Sequence, residues 1–138
     1  MTLRLVNPGT LATPQTYTHV VVASPGTLVF IAGQVAEDAH GNLVGPGDLG
    51  VQAHKAFENV GHALAAAGAR PEDVAKLTIY VPGMRPEYIP VIEAARQATF
   101  GAHKPADALI GVQTLAEAGR LIEVEAIAVV SAPAPSDG

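Results

Sequence analysis

Leu-Ile-Glu-Val-Glu-Ala-Ile-Ala-Val-Val, residues 121–130, is rich in β-branched side chains and contains neither proline nor glycine. This composition predicts a β-strand. Because successive side chains of a strand point to opposite faces, one face carries only apolar residues, and the other is apolar except for Glu123 and Glu125. A strand of this kind is expected to lie inside the protein, with the rest of the chain arranged around it.

Glu125 is the first candidate functional residue, because it falls in the middle of this strand. A carboxylate on a largely buried face is unfavourable unless it is paired, hydrated or placed in a cleft. The alternative, left open by the residues alone, is that the second face of the sheet is partly wet and that Glu125 is simply solvated.

Composition limits the classes of function. The chain has 138 residues, of which 49% are hydrophobic and only 15% charged, which fits one domain over residues 1–130 followed by a disordered tail over 131–138. The net charge is −5 and no cluster of Lys and Arg occurs, so binding of nucleic acid is disfavoured. The absence of cysteine excludes disulfides, thiol catalysis and thiolate metal sites.

The sequence shows no targeting segment and no apolar run of membrane-spanning length, so a cytoplasmic protein without a membrane partner is expected. No HExxH, P-loop or GxSxG motif occurs, and we expect no metal and no cofactor. His54, Glu58 and His62 are spaced along one face of a predicted helix, where a solvated surface is favoured over a metal site.

Hydrophobic periodicity predicts seven elements. Asp48 and Gly68 bound a first helix as N-cap and C′ residues, and Ser24-Pro25-Gly26 predicts a hairpin turn between the first two strands. In chain order the predicted elements are strands over 17–23 and 28–34, a helix over 49–67, a strand over 74–81, a helix over 86–100, and strands over 106–112 and 121–130.

The order β-β-α-β-α-β-β predicts an α+β domain with two helices on one face of one sheet. Two helices cannot cover both faces. Yet the strands over 28–34 and 121–130 are apolar on both sides, or nearly so. The chain has no spare segment, so another copy of the same subunit is the simplest cover.

Several motifs resemble the RidA family, also called YjgF/YER057c/UK114, over nearly the whole chain. They occur in order and at suitable spacings: Tyr17-Thr18-His19, Ala32-Gly33-Gln34, Glu58-Asn59-Val60, Lys76-Leu77-Thr78-Ile79-Tyr80-Val81, Pro105-Ala106, and Ile122-Glu123-Val124-Glu125-Ala126-Ile127-Ala128-Val129. The resemblance implies a chorismate-mutase-like fold and a homotrimer whose sheets line a central barrel, with three clefts between subunits.

The resemblance also implies hydrolysis of reactive 2-imino acids to 2-keto acids and ammonia. It assigns Glu125 to the water, places Gly33 and the backbone of Leu109 near the substrate, and puts Tyr17 at the cleft rim. His19 matches a position that often carries His in the family, where an acid/base role and a structural, hydrogen-bonded role are both open.

Asp107 is the main departure from this family. The deaminases have Pro-Ala-Arg-Ser where this chain has Pro105-Ala106-Asp107-Ala108, so the arginine that binds the substrate carboxylate is replaced by an acid. Asp107 should repel a carboxylate rather than anchor it. The sequence therefore predicts the fold of the family and not an efficient 2-imino acid deaminase.

Two classes of function remain. The first is a hydrolase of the RidA superfamily that acts on an imine-like, enamine-like or other small metabolite, with Asp107 and Glu125 as a cleft pair suited to a neutral or cationic ligand. The second is a non-catalytic trimer that binds a metabolite or a partner protein. The endoribonuclease activity of some family members fits the −5 charge less well.

Overall fold

The computed structural model describes residues 3–131. Asp48 caps the first helix by accepting a hydrogen bond from the Val51 backbone N–H at 3.1 Å, and single 3₁₀ turns precede β4 and α2. The elements in chain order are β1 (Leu3–Val6), β2 (Val20–Ala23), β3 (Thr27–Gln34), α1 (Leu49–Ala66), β4 (Val74–Pro82), α2 (Ile89–Phe100), β5 (Ala106–Val112) and β6 (Glu123–Val130).

The main sheet has the strand order β3-β6-β4-β5. Strand β6 is antiparallel to both of its neighbours, and β5 runs parallel to β4. The stretch that the sequence singles out is therefore an inner strand, as its two largely apolar faces predict.

Both helices pack on one face of this sheet, and the mixed α+β class predicted from the sequence is confirmed. The core lies between the helices and the sheet. Helix α1 contributes the fully buried side chains of Phe57 and Val60, while alternate residues of β6, including Val124 and Ala128, meet them from below.

The opposite face of the sheet, here called the open face, is not covered by the helices. Phe30 and Leu28 of β3 are 70% and 57% exposed, and Phe30 pairs with Ile127 of β6. Large apolar side chains at this exposure form a patch of the kind that binds another surface. This face corresponds to the one for which the sequence predicts a second subunit.

The predicted hairpin between the first two strands is wrong. Strand β2 pairs with β1, with Leu3 opposite Ala23, and these two form a separate small sheet, whereas β3 pairs with β6. The apolar piece at the N-terminus supplies β2 with a partner of its own. The observed order is thus β-β-β-α-β-α-β-β, with two sheets instead of one.

The β1–β2 ribbon lies across one end of the main sheet. At its start, the Thr18 backbone N–H donates to the Pro105 carbonyl at 3.2 Å, just before β5. After β2, Gly26 packs against Val129 and Val130 at the end of β6. Because these contacts hold both ends of β2, the strand passes the sheet without joining β3.

Neither helix within residues 3–131 has the length and apolarity needed to cross a membrane. Of the tail predicted over 131–138, only Ser131 belongs to the described part of the chain, and the remainder lies outside it.

Candidate functional site

Gly33 lies at an irregularity in β3, where the pairing with β6 shifts between Ile31 and Gln34. A Cβ atom added to Gly33 would fall 2.0 Å from Oε2 of Glu123, which no real contact allows. Only glycine therefore permits this close approach of the Glu123 carboxylate to the β3 backbone. From the residues alone a strand-end glycine suits either a bulge, the commoner reason, or the approach of a ligand, and the structure shows an irregular pairing here with a carboxylate against the glycine.

A cavity of about 140 Å³ opens beside this contact and is here called the Gly33 cavity. Its walls include Glu37 from the segment after β3, Glu117 and Arg120 from the connection between β5 and β6, and Glu123 at the start of β6. The volume suits a small metabolite or a few water molecules.

Arg120 is the cation of this cavity. Its side chain is buried, and its Nη2 donates to Oε2 of Glu37 at 3.0 Å and to Oε2 of Glu117 at 2.9 Å. Its Nε is also buried and finds no acceptor among residues 3–131. With Glu123, three carboxylates and one guanidinium line the cavity, so the cavity has a net negative charge.

Helix α1 holds both walls of the cavity in place. The Gln52 amide, fully buried, donates to the Gly119 carbonyl at 3.0 Å and accepts from the Leu121 N–H at 2.9 Å, which fixes the backbone on either side of Arg120. The Asn59 amide donates to the Glu37 carbonyl at 2.9 Å. Neither these two amides nor Arg120 is predicted as a site residue from the sequence.

Glu125 is the next residue after Glu123 on the same face of β6, two positions along the strand. It pairs with Thr78 of β4 and neighbours Tyr80, the pKa of which is raised by desolvation and by the Glu125 charge. The structure therefore brings Gly33 together with Glu123 and leaves Glu125 next to polar groups of β4.

Asp107 and Glu125 do not face each other within one chain, so the predicted cleft pair would need side chains from two subunits and stays a prediction. Asp107 lies opposite Leu77, which also faces Ala126 on the helix side of the sheet. Glu125 lies opposite Thr78, the next residue of β4. Because neighbouring residues of a strand point to opposite faces, the two carboxylates lie on different sides of the sheet.

Asp107 points towards α2. Burial raises its pKa from the ordinary 3.8 to about 6, and the positive charge of Arg96 offsets this only in part. Arg96 is itself committed, because its Nε donates to both carboxylate oxygens of Glu93 at 3.0 Å and its Nη1 donates to the His103 carbonyl at 2.7 Å. Asp107 is thus a partly buried acid that forms no ion pair with any residue between 3 and 131.

We expect Asp107→Asn to stabilise the protein at neutral and alkaline pH. Because folding raises the pKa of this acid to about 6, the folded state is penalised above that pH, and the penalty disappears below 3.8, where both states are protonated. The gain should be about 1 kcal/mol at pH 8, reduced from the full shift by partial exposure, and near zero below pH 4.

Urea unfolding of wild type and Asp107→Asn across this pH range measures the difference. Glu87→Gln, which removes an exposed carboxylate near the start of α2, is the control for a general change in charge. A gain in stability that is equal at pH 4 and pH 8 would contradict the raised pKa.

Tyr17, His19 and Leu109 do not line the Gly33 cavity of the same chain. The rings of Tyr17 and His19 meet edge to face with their centroids 5.1 Å apart, and His19 Nε2 lies 2.6 Å from the Ala12 carbonyl. Leu109 pairs with Ile79 and packs against the core. Of the predicted site residues, only Gly33 therefore lies at this cavity.

Glu58 on the outer face of α1 contacts Lys55 at 2.9 Å and His62 at 3.3 Å, and the Glu58 and His62 side chains are 55% and 70% exposed. Across residues 3–131 no group of three or more His, Asp or Glu side chains is placed to hold a metal ion.

A mixed sheet under two helices, with a carboxylate-lined cavity at the sheet, makes this a small α+β protein, and residues 9–130 match the family described as Endoribonuclease L-PSP. The chain is 36% identical over 103 residues to a RutC family protein from Pyrococcus horikoshii, covering 75% of this chain and 79% of that protein. It is also 36% identical over 102 residues to the 2-iminobutanoate/2-iminopropanoate deaminase of Bos taurus, covering 73% and 72%.

Solved structures agree with these matches. A Rid family protein of unknown function from Yersinia pestis, YyfB, superposes with a TM-score of 0.88 at 39% identity, covering 94% of this chain and 100% of that one. The chain belongs to the RidA family, also known as YjgF/YER057c/UK114, as its motifs predict.

Proposed function

We propose that this protein is a homotrimeric hydrolase of small imines or enamines that lack a free carboxylate, with Glu123 positioning the attacking water in the Gly33 cavity. The observation that carries this proposal is the carboxylate of Glu123 packed against Gly33 in a cavity of net negative charge. Relatives named 2-iminobutanoate/2-iminopropanoate deaminases support imine chemistry in general terms.

The chemistry needs one base and one water. Glu123 accepts a proton from the water as its oxygen bonds to the carbon of a protonated imine, which gives a carbinolamine. Glu123 then passes this proton to the nitrogen and takes the hydroxyl proton as the carbon–nitrogen bond breaks, so the carbonyl forms and the departing ammonia becomes ammonium. One protonated imine and one water thus yield one carbonyl compound and one ammonium ion, and the negative cavity favours the positively charged imine.

Glu125 is the alternative water-positioning residue. It lies on the same face of β6 as Glu123, and the Tyr80 side chain beside it could orient a ligand. The cavity favours Glu123, because Glu123 lines it together with Gly33 and Glu125 does not.

A 2-imino acid fits this proposal poorly. Position 107, where the resemblance places the arginine that binds the substrate carboxylate, carries an acid. The single arginine of the Gly33 cavity already serves two carboxylates. A substrate with its own carboxylate would therefore add a fourth negative group to the cavity.

The proposal is tested with two matched sources of imine. An amine oxidase releases imines without a carboxylate, whereas an amino-acid oxidase releases 2-iminobutanoate from 2-aminobutanoate. We expect the protein to accelerate release of the carbonyl product from the carboxylate-free imine. Its acceleration of 2-iminobutanoate hydrolysis should be about tenfold smaller or absent.

Semicarbazide traps the imine that remains unhydrolysed, and the same reaction without the protein gives the spontaneous background in both arms. Rates with 2-iminobutanoate that equal or exceed those with the carboxylate-free imine would overturn the proposed substrate class. No acceleration in either arm would favour the non-catalytic, ligand-binding trimer instead.

A further inference from the structure

The open face carries a phenol beside its two carboxylates. Tyr80 of β4 lies opposite Glu123 of β6, and Thr78, two residues earlier on β4, lies opposite Glu125. Because side chains alternate along each strand, these four residues point to the same side of the sheet. Tyr80 is therefore the direct neighbour of Glu123 and the diagonal neighbour of Glu125, and an aromatic side chain is long enough to reach across the diagonal.

The Tyr80 hydroxyl donates a hydrogen bond to the Glu125 carboxylate. Desolvation, the charge of Glu125 and this hydrogen bond raise the pKa of Tyr80 above its ordinary value of 10, and the charge of Glu123 adds to the effect. The phenol is therefore protonated at neutral pH and remains a donor. It occupies one acceptor position of the Glu125 carboxylate and draws that carboxylate towards β4.

Glu123 is held from the other side of β6. Its carboxylate lies against Gly33 of β3 and lines the Gly33 cavity, whereas Glu125 does not line it. The two carboxylates thus turn to opposite neighbouring strands. Like charges two residues apart on one strand face repel each other, and these separate contacts keep them apart.

We infer that Tyr80 is a positioning residue of the proposed hydrolase, which holds Glu125 towards β4 and so leaves Glu123 as the carboxylate that meets the water. This role rests on the proposed function and deepens it, because it gives a physical reason why one of two carboxylates on the same face does the chemistry. Without the hydroxyl, the Glu125 side chain could turn towards Glu123, and its charge would disturb the carboxylate that positions the water.

A double-mutant cycle tests this role through activity. Wild type, Tyr80→Phe, Glu125→Gln and the double variant are assayed with the carboxylate-free imine from the amine oxidase. Tyr80→Phe keeps the ring and removes only the hydroxyl, so we expect kcat to fall about tenfold with little change in KM. In the Glu125→Gln background the same substitution should have little effect, because the charge that Tyr80 restrains is gone.

Titration of the tyrosine side chains tests the contact without any assay of activity. The chain has three tyrosines, and the NMR signal of the ring carbon that bears each hydroxyl reports its ionisation. Tyr80→Phe identifies the Tyr80 signal by its loss. We expect Glu125→Gln to lower the pKa of Tyr80 towards 10, and Glu123→Gln to lower it less, because only Glu125 accepts the hydrogen bond.

Tyr88→Phe is the matched control, because it makes the same change in the turn before α2, where Tyr88 packs against the core on the helix side of the sheet. It should leave both kcat and the titration of Tyr80 as they are in the wild type.

An equal loss of kcat on Tyr80→Phe in both backgrounds would overturn the inference, because Tyr80 would then act without Glu125. A Tyr80 titration that responds more to Glu123→Gln than to Glu125→Gln would overturn it as well. Failure of the proposed function gives a different result. If the wild type hydrolyses no imine, the hydrolase is wrong, and the catalytic role of Tyr80 falls with it. Hydrolysis that depends on Glu123, with equal losses in both backgrounds, would remove only the role of Tyr80.

Discussion

Glu123→Gln is expected to lower hydrolysis of carboxylate-free imines by about 10²-fold or more. Glutamine keeps the size of the side chain and its contact with Gly33, but its amide cannot accept the proton of the attacking water. Because a repelled charge is removed from a cavity that holds two other carboxylates, the melting temperature should stay the same or rise slightly. Turnover of amine-oxidase products and thermal unfolding measure the two effects.

Glu125→Gln is the matched control, since it makes the same chemical change one position along the same strand face. If Glu123 positions the water, Glu125→Gln should retain activity within a few-fold. A large loss for Glu125→Gln together with an active Glu123→Gln would return the catalytic role to Glu125, the residue predicted from the sequence.

Phe30→Glu is expected to dissociate the proposed homotrimer. Phe30 is 70% exposed on the open face, where an aromatic side chain covered by a partner typically contributes about 2 kcal/mol or more to an interface. A carboxylate placed there would be buried without a partner in each of the equivalent contacts. Sedimentation equilibrium at micromolar concentration should therefore show a trimer for the wild type and a monomer for the variant.

Val91→Glu on α2 provides the comparison, because Val91 is an exposed apolar residue outside the open face. This variant should remain trimeric. A wild-type protein that sediments as a monomer, or a Phe30→Glu variant that sediments as the wild type does, would contradict assembly through the open face.

The local elements were predictable because their signals are local. Helix α1 begins after Asp48 and ends at Ala66, close to the Gly68 that sets the predicted limit. The second helix was predicted from Pro86, whereas residues 86–88 form a 3₁₀ turn and α2 begins at Ile89. Hydrophobic periodicity and capping residues predict the position of a helix well, and they predict its first turn less accurately.

The pairing of β2 could not be predicted in the same way. A short turn at residues 24–26 favours a hairpin, but β2 is held by β1 and by the Pro105 carbonyl, which lie far from that turn in sequence. Such pairings depend on packing between distant segments, and the alternation of a four-residue strand carries too little information to choose between partners.

The cavity was predictable only in part. Gly33 stood out as a strand-end glycine, yet alternation gives Glu123 and Glu125 the same face, so it cannot tell which of them meets Gly33. Arg120 lies in a connection without regular structure, and its partners Glu37 and Glu117 are brought to it by the fold. Gln52 is the sequence feature that could indicate this loop, because it is a polar residue on the apolar stripe of α1 and must find hydrogen-bond partners there.

Gln52 has a consequence for laboratory evolution of this protein. Its one amide bonds to three backbone groups in two stretches of the chain, because it also donates to the Gly45 carbonyl at 3.1 Å. A library confined to residues that touch the ligand would leave the hydrogen bonds of Gln52 unchanged, and the cavity would keep its present shape. Shorter or longer polar residues at position 52 would shift the loop that carries Arg120, so new substrate preferences are to be sought in a helix that no substrate reaches.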